Sequence, residues 1–385
     1  MSNRLPLFYI VCVFFWMALY TYVPYVTPYA EHLGADFRLM GLIAGAYGFV
    51  QMALRFPLGI FSDKVQKRKI FVLMGLFFAM LSGLIVYFIS HPLALLASRS
   101  FAGVTAATWV TFTILGSSYY RSEDTVKAIG MLNAFNGFGR MTALLLGGFV
   151  AEWLGFSYAF LLTGVFGIIG LILGFWMVEK KPEKAADPPN WAVLLEVARN
   201  KQLFFASILA ILSQYVQFAT TFGFTPMVAA QIGASNYQLG MLGMISTLPA
   251  LLISPFVGRM VHKLGLRFVI TLNFVLAALG CALVAVVHQL WQLFVVQFIS
   301  NVGIAVLMTL LMGLSIREIP SERRATAMGF FQAVYGIGMF LGPFIMGWVS
   351  HGFGLMAAFV FTGSVGIAGA VSGFIFVYKG YLRQG

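Results

Sequence analysis

Long apolar stretches separated by short polar breaks run through the whole chain. The segments near 70–89 and 357–378, for example, contain no charged residue. An apolar run of about 20 residues crosses the roughly 30 Å hydrocarbon core of a bilayer as a helix, whereas a membrane β-barrel shows short segments of alternating polarity. The pattern therefore predicts an all-α polytopic membrane protein.

Polar breaks divide the chain into twelve predicted transmembrane helices, with one long connection after the sixth. That connection, residues 179–201, contains three prolines and charges of both signs, which is typical of a linker. Its end, at 191–199, predicts a short interfacial helix. We expect an N-terminal six-helix bundle over 1–178, a cytoplasmic linker over 179–201 and a C-terminal six-helix bundle over 202–385. The predicted helices lie near 6–30, 38–61, 69–89, 92–118, 125–152, 156–178, 202–231, 237–260, 267–287, 290–316, 325–350 and 355–378.

The composition excludes several other classes of protein. Of the 385 residues, 60% are hydrophobic and only 9% are charged, against about 25% charged in ordinary soluble domains, so soluble enzymes are excluded. The two cysteines and five histidines form no cluster with metal-ligand spacing. The chain also has no GxxxxGK[ST] sequence to hold ATP. The sequence therefore predicts no cofactor, no metal site and no enzymatic activity.

The distribution of the 24 lysines and arginines predicts the orientation in the membrane. With twelve helices, 20 of them lie on the side shared by both termini, Arg38 lies on the opposite side, and three fall inside helices. Cytoplasmic loops carry such an excess, so we expect both termini in the cytoplasm and a location in the inner cell membrane. This topology explains the net charge of +12 without nucleic-acid binding. The expected partners are the lipid bilayer and a small-molecule substrate, and we expect a monomer.

The two halves of the chain align at an offset of 199 residues. Residues 130–175 and 329–374 share 16 identities in 46 ungapped positions, most of them glycine. Glycines on one helix face let neighbouring helices approach closely. Six helices repeated in parallel are the plan of two-bundle secondary transporters, so the repeat predicts two pseudo-symmetric six-helix bundles.

The connection after the second helix carries a specific motif. It reads Gly59-Ile-Phe-Ser-Asp63-Lys64-Val-Gln-Lys-Arg68-Lys. This stretch resembles the loop motif of the major facilitator superfamily, with Gln66 where a second glycine is usual. The resemblance implies that Asp63 latches the bundles in one state by binding backbone N–H groups or a neighbouring arginine. An ordinary solvated turn with topology signals is the alternative interpretation.

Two further stretches resemble motifs of the same family, in particular of its bacterial drug and small-molecule efflux branches. The fourth helix contains Arg99 and Gly103, similar to the family's fourth-helix arginine motif. The eleventh contains Gly338-x-x-x-Gly342-Pro343, which resembles the antiporter motif. The resemblance implies the twelve-helix superfamily fold, a gating role for these positions and transport by alternating access.

Buried positive charge is the most informative feature inside the membrane. All twelve acidic residues fall at helix ends or in connections, whereas Arg55, Arg99 and Arg140 fall inside predicted helices. A lipid-facing arginine at mid-membrane costs at least about 2.5–3.5 kcal/mol, so we expect all three to face the interior. Arg55 shares a helix face with Gln51 and is a candidate for substrate contact, with snorkelling to the interface as the alternative. For Arg99, the alternative is a structural role, in which it only donates hydrogen bonds to backbone carbonyl groups.

The fifth helix presents the strongest candidate binding face. Asn133, Asn136 and Arg140 lie on one side of it, and Arg140 is too deep to snorkel easily. The repeat places neutral Met339 at the position equivalent to Arg140, so we expect an electrically lopsided cavity. A packing role for Arg140 is the alternative. The other candidates for substrate contact are Tyr22, Tyr25, Trp109, Gln214, Gln217, Gln332 and Tyr335.

Two transport hypotheses follow from these residues. The efflux resemblance favours export of an amphipathic compound in exchange for protons, with Glu31 and Glu152 near the external helix ends as candidate coupling residues. The embedded arginines and the absence of a mid-membrane acid favour an anionic solute instead, exported, taken up or exchanged. If the protein were a membrane receptor or scaffold, its duplicated halves would be unexplained. The sequence shows no repeated ring of charged residues and no selectivity-filter sequence, so it does not favour a channel.

The predicted topology can be tested at the linker. Because residues 179–201 are expected in the cytoplasm, an Ala185→Cys variant should resist a membrane-impermeant thiol reagent in intact cells. The same variant should react readily after permeabilisation, which serves as the control. Rapid labelling in intact cells would reverse the predicted orientation.

Overall fold

Helices account for almost all of the described backbone. The computed structural model describes residues 5–65, 67–120, 125–179, 196–320 and 323–383, and it contains no strand in these ranges. Twelve helical segments follow one another in chain order. They are α1 (Leu5–His32), α2 (Phe37–Val65), α3 (Arg68–Phe88), α4 (Pro92–Ser117), α5 (Thr125–Leu154), α6 (Phe156–Phe175), α7 (Lys201–Gln231), α8 (Asn236–Leu264), α9 (Leu266–Val284), α10 (Leu290–Arg317), α11 (Arg324–Phe353) and α12 (Leu355–Tyr378).

Eleven of the described helices are long and apolar enough to cross a membrane. The remaining helix, α5, is 30 residues long, but Asn133, Asn136 and Arg140 make it less apolar. The all-α polytopic prediction is confirmed. The predicted interfacial helix at 191–199 begins outside the described residues, and within it residues 196–198 are helical.

The second and eighth helices each extend about one turn beyond their predicted ends near residues 61 and 260. α2 continues to Val65, so Asp63 and Lys64 belong to its last turn. Pro57 does not end the helix, because neighbouring groups in a membrane bundle satisfy the backbone that a proline frees. A lysine in the last turn also interacts favourably with the helix dipole.

Two helices are interrupted at equivalent points of the repeat. α1 changes to a 3₁₀ turn over Val23–Tyr25, and α7 changes to a π turn over Thr220–Phe224. Pro24 and Pro226 lie at or just after these breaks, and proline removes the N–H that a continuous helix would need. The offset of 199 places 23–25 on 222–224, so the interruption is a property of the duplicated unit.

Glycine turns join successive helices tightly. Gly155, between α5 and α6, has a φ of 99°, and its repeat equivalent Gly354, between α11 and α12, has a φ of 86°. Gly34 and Gly233 form a second equivalent pair with φ values of 81° and 87°. Residues with a Cβ are disfavoured in this left-handed region, so the sequence specifies these turns twice.

The chain separates into two compact units that exchange short helix segments. The first unit consists of Met1–Leu33, Val50–Pro188 and Ser235–Met241, and the second holds the rest, including Gly34–Phe49. The start of α2 therefore belongs with the second unit and the start of α8 with the first. The division into two six-helix bundles at 1–178 and 202–385 stays a prediction.

Each unit contains a glycine-mediated contact between its broken helix and a long helix. In the first unit, a Cβ at Gly139 of α5 would lie 2.8 Å from the carbonyl oxygen of Val13 in α1. In the second, a Cβ at Gly338 or Gly342 of α11 would collide with carbonyl oxygens of Ile211 and Tyr215 in α7. Gly139 and Gly338 are repeat equivalents, so the same packing occurs twice.

The exchanged segments pack in the same way. In the second unit, a Cβ at Gly41 of α2 would lie 3.0 Å from the Cα of Gly347 in α11. In the first unit, a Cβ at Gly240 of α8 would lie 2.9 Å from the Cα of Gly148 in α5. Gly41 is equivalent to Gly240, and Gly148 to Gly347. The same glycine contact, specified by the repeat, therefore occurs in both units.

A pair of glycine substitutions on α11 tests this packing. Gly338→Ala should lower stability by about 1–3 kcal/mol, because the added methyl group overpacks the contact with Ile211. Gly329→Ala, on the same helix with nothing within 4 Å of the new atom, should be neutral or stabilise by about 0.5–1 kcal/mol. Thermal unfolding of the purified proteins measures both. Equal melting temperatures for the two variants would contradict the packing argument.

Candidate functional site

The polar face of α5 lies where the sequence predicted it. Asn133 is exposed and Asn136 and Arg140 are half-buried, and all three occupy one side of the helix. The Nε of Arg140 and the Oδ1 of Asn136 are buried atoms with no hydrogen-bond partner among the described residues. A donor and an acceptor of this kind can bind a ligand without first breaking a bond within the protein.

Aromatic rings of α1 support the Arg140 guanidinium. Its Cζ lies 4.2 Å from the ring centroid of Tyr20 and 6.0 Å from that of Trp16. A cation over an aromatic face is stabilised by up to about 2 kcal/mol when it is desolvated. Trp109 of α4 packs on Trp16 with centroids 4.9 Å apart, so this predicted residue joins the same aromatic cluster. The indole N–H of Trp16 is buried without a partner among the described residues.

The candidate face of α2 is buried more deeply. Arg55 is only 6% exposed, so snorkelling to the interface does not describe it. Its Nε and Nη1, like the Oε1 of Gln51, have no hydrogen-bond partner in the part of the chain that the structure describes. A buried guanidinium with unused donors is costly unless something charged or polar reaches it. Both residues belong to the first unit, as do Arg140 and its neighbours.

The tyrosines near the break in α1 are packed inside the first unit. Tyr22 is fully buried, its ring lies 4.9 Å from that of Phe160, and the Arg99 guanidinium approaches it at 5.9 Å. The hydroxyl of Tyr25 donates to the carbonyl of Asn236 at 3.3 Å. In α4, Arg99 and Gly103 are both buried. The structure therefore places this group around the helix break, which begins just after Tyr20, the residue whose ring contacts Arg140.

The candidates of the second unit lie on α7 and α11, two helices that pack against each other at Gly338. Gln214 is buried in α7, while Gln217 of α7 and Gln332 and Tyr335 of α11 are partly buried. Met339, the repeat equivalent of Arg140, packs against Gly48 of α2, where an added Cβ would lie 2.6 Å from the Met339 Cβ. This position therefore serves packing in the second unit and charge in the first.

A buried polar cluster beside the π turn of α7 includes a residue that the sequence did not single out. The hydroxyl of Thr221 lies 3.3 Å from the side-chain oxygens of both Gln297 and Asn301 of α10, and Asn301 donates back to it at 3.1 Å. The repeat offered a signal, because Thr221 is equivalent to the candidate Tyr22. π turns occur frequently at functional sites.

The two acids predicted as coupling residues are both exposed. Glu31 lies at the end of α1, and Glu152 lies near the end of α5 and accepts a hydrogen bond at 3.0 Å from the N–H of Tyr237 at the start of α8. Its repeat equivalent, His351, lies 3.7 Å from Asp36 at the start of α2. Both units thus use the equivalent position at a helix start, but in different ways. Glu152 itself accepts from an N–H group, whereas His351 contacts Asp36, whose carboxylate accepts from the N–H of Leu39.

The loop motif also has a partner that the sequence assigned to the linker. The carboxylate of Glu179 accepts hydrogen bonds from the N–H groups of Arg68 at 2.6 Å and Lys69 at 3.1 Å, at the start of α3. Gly59 is open and Lys64 is exposed, while the side chain of Asp63 lies outside the described residues.

The remaining motif residues are packing contacts in this structure. Gly338 and Gly342 lie against α7, and the carbonyl oxygen of Pro343 would lie 2.5 Å from a Cβ at Gly41 of α2. All of these residues belong to the second unit. These residues resemble a gating motif, and their close packing is compatible with that role. Two helices that meet at glycine, without interlocking side chains, can separate and meet again with little rearrangement.

Duplicated halves, broken helices and a polar face within the membrane define a secondary transporter. The family model of the Major Facilitator Superfamily matches residues 8–230 and 203–383. The chain belongs to the Major Facilitator Superfamily and is a transporter of that type.

Three curated relatives and a solved structure agree with this assignment. An uncharacterized MFS-type transporter of Methanocaldococcus jannaschii is 26% identical, covering 88% of this chain and 89% of that protein. The inner membrane transport protein YajR of Escherichia coli is 22% identical over 87% and 74% of the two chains. The quinolone resistance protein NorA of Staphylococcus aureus is 28% identical over 40% and 39%. A bacterial homologue of the human lysosomal transporter Spinster has the same fold, with a TM-score of 0.80, 14% identity and coverage of 100% and 98%.

The helix-start contact of Glu179 can be measured directly. Glu179→Gln should lower stability by about 0.5–2 kcal/mol, because it removes a charged acceptor from two N–H groups and from the positive end of the α3 dipole. Glu318→Gln, an exposed acid at the C-terminal end of α10, should be neutral or slightly stabilising, because a negative charge is unfavourable there. Thermal unfolding at low salt compares the two. A larger loss for Glu318→Gln would contradict this account.

Proposed function

We propose that this transporter exports a small amphipathic or anionic organic solute by alternating access, with Arg140 as the residue that senses negative charge. The observation that carries the proposal is the unpartnered pair on α5, the Arg140 Nε and the Asn136 Oδ1, beside the aromatic cluster of α1. Donor, acceptor and rings together match a solute with an acidic group, a polar group and an apolar body.

The electrostatics of the face favour an anion. A guanidinium in surroundings of low dielectric constant attracts a negative charge far more strongly than in water. It can also bind a carboxylate or phosphate through two parallel hydrogen bonds. The rings of Tyr20 and Trp16 hold Arg140 without neutralising it, so its full charge is available to a ligand. Asn133, exposed on the same face, offers further hydrogen bonds.

The direction of transport rests on the relatives and on the motif resemblance. The printed name of the Staphylococcus aureus relative is quinolone resistance protein, and a membrane carrier protects a cell from a drug by removing it. The first-unit face, with aromatic rings beside a polar helix, suits an amphipathic compound of that general kind. Export is therefore the direction that we propose, from a cytoplasm that contains both termini.

A second candidate is uptake or exchange of a small organic anion. It is favoured by the positions of the acids, because Glu31 is exposed at a helix end and Glu152 contacts a backbone N–H. Neither lies beside Arg140 to relay a proton. On this view the anion gradient itself drives transport, and a pH gradient changes flux only through titration of the solute.

For the motif residues we propose conformational roles. Asp63, in the last turn of α2, and Arg99 would stabilise one state of the transport cycle, and Gly338, Gly342 and Pro343 would provide a contact that re-forms in each cycle. These roles follow from the family resemblance and from the tight backbone packing of α11.

Substitution at Arg140 tests the charge-sensing role. In proteoliposomes, Arg140→Lys should reduce flux of an acidic solute partly, because the charge stays but the planar fork is lost. Arg140→Met, which copies position 339, should reduce it at least tenfold, corresponding to about 1.4 kcal/mol or more. The matched neutral ester of the same solute should be affected much less by either change.

Two controls separate this role from a structural one. Arg259→Met removes a cation from an exposed position outside the site and should leave the acid-to-ester ratio unchanged. Melting temperatures report whether the Arg140 variants fold normally. Equal losses for acid and ester would reject charge sensing and leave Arg140 as a packing residue.

A further inference from the structure

A basic cavity lies at the other end of the second unit from its tight contacts with α2. It has a volume of about 600 Å³ and is formed by the turn from α8 to α9 and the segment that follows α12. Among the described residues, its charged lining residues are Arg267 and Arg383, and none of those that line it is acidic. The cavity lies on the membrane side that carries most of the lysines and arginines in the sequence.

Protein contacts hold both arginines in place without neutralising them. The guanidinium of Arg267 lies 5.1 Å from the ring centroid of Phe374. The Nε of Arg383 donates to the carbonyl of Gly380 at 2.9 Å, and its backbone N–H donates to Gln202 at 3.3 Å. A guanidinium keeps its charge at any physiological pH. The cavity therefore concentrates two positive charges, and no carboxylate among its described lining residues balances them.

The repeat shows what occupies the equivalent place in the first unit. Arg267 is equivalent to Arg68, and Tyr378 is equivalent to Glu179. In the first unit, the Glu179 carboxylate binds the backbone N–H groups at the start of α3. In the second unit, the start of α9 faces the cavity, and the equivalent tyrosine is 75% exposed. At the position where the first half supplies a carboxylate, the described residues of the second half supply a tyrosine instead.

We propose that this cavity binds the headgroup of an anionic phospholipid, whose phosphate takes the place that Glu179 fills in the first unit. Two guanidinium groups and a helix start are the donors that recognise phosphate. The exposed apolar side chains of Leu264, Phe268 and Tyr378 at the cavity favour a lipid over a free anion, because acyl chains can cover them. Basic pockets at the inner leaflet bind such headgroups in other membrane proteins.

Lipid retention by the full-length protein tests the proposal. The protein is reconstituted in nanodiscs of phosphatidylcholine with phosphatidylglycerol, extracted into mild detergent, and examined by native mass spectrometry. The wild type should retain one phosphatidylglycerol that the double variant Arg267→Gln/Arg383→Gln binds at least about tenfold more weakly. Arg317→Gln, which removes an exposed cation at the end of α10 outside the cavity, should retain it. Equal retention by all three proteins overturns the proposal.

A second variant keeps the test decisive if the double variant is unstable. Tyr378→Glu copies Glu179 at an exposed position, so it should expel the phosphatidylglycerol while the melting temperature stays the same or rises. Undiminished retention by this variant overturns the proposal. Millimolar inorganic phosphate is the last arm: retention that resists it supports a lipid, and displacement by it shows that the cavity takes free phosphate instead.

Discussion

Close approach between helix backbones at glycine is the contact on which the rest of this structure depends. In hydrocarbon, helix association gains little from hiding apolar surface, so short-range dispersion and hydrogen bonds must supply it. Gly139 on α5 and Gly338 on α11 meet this need by letting α1 and α7 approach. Because Gly139 faces Val13, the rotation of α5 about its axis is fixed, and Arg140 is carried onto Tyr20. Packing of the scaffold thus determines where the charge points.

The surroundings of Arg140 can be explained by the free energy of burying its charge. An embedded arginine paired with a carboxylate would be stable, but a ligand anion would have to displace that partner. Aromatic rings lower the cost of burial by a smaller amount and do not occupy the guanidinium donors, as the proposed role in anion binding requires. The buried Nε without a partner is what such a compromise predicts. The same reasoning applies to Arg55, whose Nε and Nη1 have no partner among the described residues, as is also true of the Oε1 of Gln51 one turn earlier.

Those features of the fold that depend on local pattern could be read from the sequence. The helices, the repeat and the polar face of α5 each follow from residues within one segment, and the embedded position of Arg140 follows from its distance to the helix ends. What surrounds Arg140 depends on helix rotation and depth, so Tyr20 and Trp16 could not be named. Glu179 was assigned to a linker because its composition resembles one, whereas its contact with Arg68 exists only after α6 and α3 pack. The last turn of α2, over residues 62–65, likewise depends on neighbours, not on propensity.

The differences between the two halves are more informative than their similarity. The shared glycines and helix breaks give both halves the same architecture. A charged residue that is present in one half and absent from the equivalent position of the other is therefore not required by that architecture. Arg140 against Met339 and Glu152 against His351 are such positions, and in each case the structure gives the two side chains different neighbours. Met339 is buried, and its Cβ and backbone lie against Gly48 of α2. An arginine would keep that contact, but its guanidinium would enter a site that now holds an apolar side chain, which costs free energy unless a charged or polar partner reaches it. At this position the second unit therefore has apolar packing where the first unit has a charge.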